Sequence, residues 1–165
     1  AVTQGISQGV LPLIGYNYAQ GNKKRMNGAI LFSGAVTVAI SLSLMTIALT
    51  SSDSIVNLFI NDVATISYGS EFLRIICLAM PTSAFIFLSI TYFQATGRKT
   101  FPLILSFLRK GTLDILFMLT LNKSLGLYGV LWATPAAEIT ASAVTAVMLI
   151  TVLVSEKRYS ASRDT

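Results

Sequence analysis

From Met26 to Thr50 the chain runs twenty-five residues without one charged side chain. About 20 predominantly apolar residues in a helix cross the hydrocarbon core of a bilayer, so this stretch alone is long enough to span one. The rest of the chain is equally sparing: 12% of its residues are charged, 53% are hydrophobic, and the mean hydropathy is +0.70. Soluble domains carry about 25% charged residues, and high apolar content with low charge also excludes disorder. We therefore expect an all-α integral membrane protein whose solvent is the lipid bilayer. No long stretch alternates apolar and polar residues, which argues against a membrane β-barrel. The chain has no His and a single cysteine, Cys77. That removes His-based acid–base chemistry, an internal disulfide and most metal sites. No metal or organic cofactor is expected, and a membrane enzyme is disfavoured.

Uncharged stretches place about five transmembrane helices, at residues 2–19, 26–50, 68–95, 101–121 and 127–154. Gln20-Gly21-Asn22 ends the first and Thr50 to Ser54 the second. Gly97 closes the third; Thr100 and Pro102 open the fourth as N-cap and first-turn proline. Ile55 to Ile60 is apolar but short and is interrupted by Asn61-Asp62, so it reads as an interfacial half-helix. The chain begins at Ala1, already inside the first helical stretch and without a signal-peptide pattern. We expect a piece of a longer protein.

The charges orient the bundle. Lys23, Lys24, Arg25, Arg98, Lys99, Lys157, Arg158 and Arg163 fall on one side, whereas Asp53, Asp62 and Lys123 occupy the opposite loops. By the positive-inside rule the basic side and the C-terminus are cytoplasmic. Eight of the twelve Lys and Arg are thereby explained without nucleic acid as a partner. Small residues recur every four positions at Ala29, Ser33, Thr37 and Ser41, and again at Ala133, Ala137, Ala141 and Thr145. Such faces let membrane helices approach closely. Pro12, Pro81 and Pro135 lie inside spans one, three and five. Each is a hinge candidate, because an internal proline removes a backbone hydrogen bond. Cys77 reads as a small buried apolar residue.

Four charges are placed where they are expensive. Arg109, Lys110 and Asp114 lie within span four and Glu138 within span five. Intramembrane charges cost about 2.5–3.5 kcal/mol on insertion scales and face protein or a wet cavity. Lys110 and Asp114, four apart, can pair on one helix face. Arg109 points roughly 100° away and requires another partner. Rise per residue sets Asp114 and Glu138 both about 10 Å below the outer boundary, on consecutive antiparallel helices. One neutral polar layer is expected, which either locks helices together or carries a coupling proton or Na⁺. Glu71 and Arg74 are expected to form a surface pair. In span one, Gln4 and Gln8 share a face near Gly5 and Gly9, with Asn17 at the exit; such amides line a substrate path or bond to neighbouring helices.

Several segments then carry a resemblance. QGVLPLIGYNY at 8–18 followed by Lys23-Lys24-Arg25, Phe72-Leu73-Arg74, YFQATGR at 92–98, SFLRK at 106–110 and GLYGVLWATP at 126–135 occur in that order. They resemble helices eight and ten to twelve of multidrug and toxic compound extrusion (MATE) transporters. The resemblance implies that residues 1–154 are most of one six-helix lobe of a twelve-helix fold, with 155–165 a cytoplasmic tail. It implies a secondary-active antiporter of a prokaryotic inner membrane, exporting cationic or amphipathic drug-like compounds in exchange for H⁺ or Na⁺, with the N-terminal lobe as partner. The branch it resembles lacks an acid on the tenth helix, where span three here holds only Glu71 at its edge. A lipid-linked-oligosaccharide flippase shares the architecture. A non-transporting membrane subunit is the alternative from another class.

Overall fold

The computed structural model describes residues 2–60 and 62–161, with side chains to Glu156. Asn61 and Arg163 lie outside the described residues, as do the side chains of Lys157 and Arg158. Among the described residues the regular elements are helical: α1 (Val2–Ala19), α2 (Lys23–Thr50), α3 (Ser52–Asn57), α4 (Val63–Cys77), α5 (Met80–Ala95), α6 (Thr100–Phe107), a π turn (Leu108–Leu113), α7 (Asp114–Leu125) and α8 (Leu127–Ala161). Lys23–Thr50, Val63–Ala95 and Leu127–Glu156 are each long and apolar enough to cross a membrane. The first expected span is diluted by Gly, Gln and Asn. The fourth is divided by the π turn.

The third span differs most from its expectation. It starts at Val63 and not near residue 68, because the Asp62 carboxylate accepts from the backbone N–H of Thr65 (2.9 Å) and from its hydroxyl (2.6 Å). An N-cap of this kind satisfies an orphan donor of the first turn. The side-chain bond, then the backbone bond, hold the Asp62 carboxyl below its ordinary value. Its capping contribution is therefore complete above the usual carboxylate range and lost as pH falls through that lowered value. Asp62→Ala is expected to fray the start of α4, seen as faster amide exchange at Val63 to Ile66, while Asp62→Asn retains most of the protection.

The same span is broken at Leu78 and Ala79, whose N–H groups reach back only three residues, to Ile75 and Ile76. Pro81 follows in the first turn of α5, where a missing N–H costs least. The expected kink at Pro81 is thus a helix boundary just ahead of it. Pro12 and Pro135 sit inside α1 and α8, which run on through them. Thr100, expected as an N-cap, is the first residue of α6; Lys99 holds the cap position without a side-chain bond. The turn at Gly97, with φ +75°, already sets Lys99 in helical geometry. The half-helix α3 starts earlier than expected, at Ser52.

The two small-residue faces are packed. Ser33, Thr37 and Ser41 are buried on α2, as are Ala133, Ala137, Ala141 and Thr145 on α8. Thr37 and Thr145 donate to the carbonyls of Ser33 and Ala141 (both 2.7 Å), so the hydroxyls demand nothing from neighbouring helices. α1 packs on α2 and α5, α5 on α8, and α7 on α8. Ile14, Ile86, Phe93 and Leu105 fill the centre, with Phe93 stacked on Phe101 at 5.0 Å. Cys77 is buried as expected. The outside is apolar: Phe32, Leu103 and Phe107 are each more than 70% exposed. Such a surface suits lipid and not water. Glu71 and Arg74 do not serve as each other's partner. Arg74 donates to Ser52 (2.6 Å) and Asp53 (3.1 Å) on α3, and Tyr128 donates to Glu71 (2.9 Å). Tertiary neighbours outcompete the partner on the same helix.

Candidate functional site

The charged layer begins with a turn. Gly126, at φ +59°, lets α7 and α8 fold back as an antiparallel hairpin, a conformation L-residues with a Cβ adopt at a cost. Asp114 and Glu138 each lie twelve residues from Gly126, which sets both about 18 Å down the hairpin. The two carboxylates are therefore level with each other along the hairpin, as the expected shared layer requires.

Arg109 Nε donates to Glu138 Oε1 at 2.6 Å, and the pair is enclosed, with side-chain exposures of 10% and 3%. The Arg109 guanidinium also lies over the Phe87 ring, 4.4 Å from its centroid, a cation–π contact that a desolvated arginine favours. Lys110 Nζ is 3.8 Å from both Asp114 Oδ2 and Glu138 Oε1. Adjacent residues of an α-helix point about 100° apart; here Arg109 and Lys110 reach the same carboxylate from within the π turn. The wider i→i+5 turn is an irregularity found often at functional sites. The expected pairs are therefore one connected network of four groups, formally neutral.

Glu138 Oε2 is enclosed and has no hydrogen-bond partner. Buried carboxylate oxygens are rarely left so. Beside it lies a half-open cavity of about 390 Å³, bounded by Arg109, Lys110, Phe87, and the hydroxyl residues Thr3, Ser41, Ser83 and Thr134. Ala79 and Met80 from the break in span three form another wall. A cavity with this size and polarity accommodates water or a small solute. The break, the π turn and the free carboxylate oxygen thus converge on one space.

The other sequence-selected residues lie elsewhere. Gln4, Gln8 and Pro12 are exposed on one face of α1, and Asn17 is buried but bonded to Leu13 O of its own helix (2.8 Å). From α1 the cavity takes Thr3, which spacing arguments pass over. Pro135 is fully buried and adjoins Thr134 of the wall. Phe87 and the π turn also escape a reading by spacing; Gly111 in mid-span is the available signal for the turn.

A helical bundle with a lipid-compatible exterior, a broken span and a charge-lined cavity is a polytopic membrane protein built as transporters are. The chain belongs to the MATE family: the MatE family model matches residues 1–120, a segment that includes Arg109, Lys110 and Asp114. It is 34% identical over 140 residues to the multidrug export protein MepA of Staphylococcus haemolyticus, covering 83% of this chain and 30% of that protein. MepA of Staphylococcus saprophyticus is 28% identical over 152 residues, covering 92% and 33%. Among solved structures, the MATE multidrug transporter DinF-BH superposes with a TM-score of 0.84 at 25% identity, over 90% of this chain and 33% of that one. An outward-facing multidrug resistance MATE transporter superposes at 0.80 with 21% identity, covering 99% and 36%, and shares the fold. The chain spans about a third of the length of these relatives.

Proposed function

We propose that this chain is part of a secondary-active multidrug antiporter, most of the C-terminal lobe, exporting cationic or amphipathic compounds in exchange for H⁺ or Na⁺. The observation that carries the reading is the buried Arg109–Glu138 pair, with one carboxylate oxygen lacking a hydrogen-bond partner, at a largely apolar cavity that both residues line together with four hydroxyl side chains. Intramembrane ionisable groups mark ion or substrate pathways more often than inert structure. The relatives named for multidrug export support the substrate class. A flippase for acidic lipid-linked sugars calls for a cavity with surplus positive charge. Here Arg109 and Lys110 line the cavity against Glu138 alone, so its charge does not separate the two readings; the relatives named for multidrug export favour the drug exporter.

In this reading the basic end of the bundle, with the C-terminus, faces the cytoplasm of a prokaryotic cell, and the two lobes rock around a cavity between them. Glu138→Gln in the complete protein is expected to lower H⁺- or Na⁺-driven transport at least tenfold while substrate still binds. Transport at the unmodified rate removes Glu138 from the coupling mechanism. A non-transporting subunit tolerates the substitution wherever the fold survives.

A further inference from the structure

A second recess lies away from the charged layer, between α2, α5 and α8. It is a half-open groove of about 410 Å³ walled by Leu31, Leu88, Leu149 and Leu153, with Asn27 and Tyr92 at one end. Leu31 on its rim is 73% exposed, so the groove opens sideways from the bundle. Its Asn27 end is the basic end of the molecule. Lys23 and Lys24 precede Asn27 by four and three residues, which places them one turn beyond it on the same helix face. Both are exposed and take part in no ion pair among the described residues. Across the groove, Tyr92 donates its hydroxyl to Glu156 (3.3 Å), which in turn holds Arg98 at 2.8 Å. Arg98 Nη1 is enclosed without an acceptor. With Arg25 and Lys99 also at this end, five cationic groups among the described residues stand against Glu156.

We propose that this groove binds an anionic phospholipid, with one acyl chain along the leucines and the phosphate held by the exposed Lys23 and Lys24. The geometry supplies what such a ligand needs: an apolar slot open to the bilayer, ending at a basic rim at the membrane surface. The groove shares no lining residue with the Glu138 cavity, and none of its own lining residues is charged. Its occupancy does not depend on which ion drives transport.

The test uses the complete protein, delipidated and titrated in native mass spectrometry. Three probes separate the contributions: dioleoyl phosphatidylglycerol, dioleoyl phosphatidylcholine with the same tails, and glycerol 3-phosphate as the headgroup alone. Phosphatidylglycerol is expected to be retained at least fivefold over phosphatidylcholine, and glycerol 3-phosphate not at all. Lys23→Gln with Lys24→Gln brings the two lipids to near parity. Leu31→Trp, at an exposed rim position that folding tolerates, reduces retention of both. Equal retention of the two lipids by the unmodified protein overturns the proposal. So does a preference unchanged in the lysine variant, or a structure of the complete chain with another protein segment seated in the groove.

Discussion

Replacing Gly129 with alanine is expected to disrupt the α7–α8 hairpin and with it most of the folded protein. A Cβ built on Gly129 overlaps the backbone carbonyl of Leu121 and lies 2.8 Å from Asn122 N. These are main-chain atoms at the end of α7, so no rotamer change relieves the overlap. Overpacking costs about 1–3 kcal/mol where side chains can move aside; a main-chain clash in a tight hairpin belongs at or above that upper end. Gly28→Ala is the matched control, because nothing lies within 4 Å of its Cβ. Alanine there gains helix propensity of roughly 0.5–1 kcal/mol. The measurement is thermal unfolding of the complete protein in detergent, together with its monodisperse yield. Equal behaviour of the two variants contradicts the close approach.

Arg109→Met carries the second large effect. Removing one partner of a buried ion pair leaves an uncompensated charge and costs about 3–5 kcal/mol. Lys110, 3.8 Å from the same oxygen, offsets part of this, so the lower end of that range is expected. Arg109→Met combined with Glu138→Leu removes both charges and recovers most of the loss. A double-mutant cycle then gives a coupling energy of about 2 kcal/mol or more. Additive losses contradict the pair as the element that joins α8 to the π turn. The comparison also separates stability from transport, since the double variant is expected to fold without exporting anything.

Much of this is readable in the residues. Missing charge identifies the second, third and fifth spans, the three helices long and apolar enough to cross a membrane, and i, i+4 spacing identifies the packed faces of α2 and α8, because both depend on composition and helical period alone. The polar layer is legible for a similar reason: charges at matched depth on consecutive helices have few other partners. What escapes depends on competition between alternatives close in energy. An α-turn and a π turn share the same apolar content, so nothing in Leu108 to Leu113 beyond Gly111 marks the change in hydrogen bonding. Glu71 and Arg74 have ideal spacing, yet each finds a better partner across the fold. Gln4 and Gln8 do share a face, but spacing says nothing about which face the bundle covers. The Arg98–Glu156 contact joins residues far apart in sequence and needs the fold to appear.

The π turn also has a mechanical meaning. Relative to a regular helix it carries one surplus residue, and a surplus of this kind resembles a dislocation in a crystal: the fault is local while the lattice on either side stays intact. One residue's worth of rotation, near 100°, is taken up inside the fault, while α6 and α7 on either side remain regular helices. Arg109 and Lys110 are mounted on that segment. The fourth span thus turns two consecutive cations onto one carboxylate without bending away from its helical axis at either side.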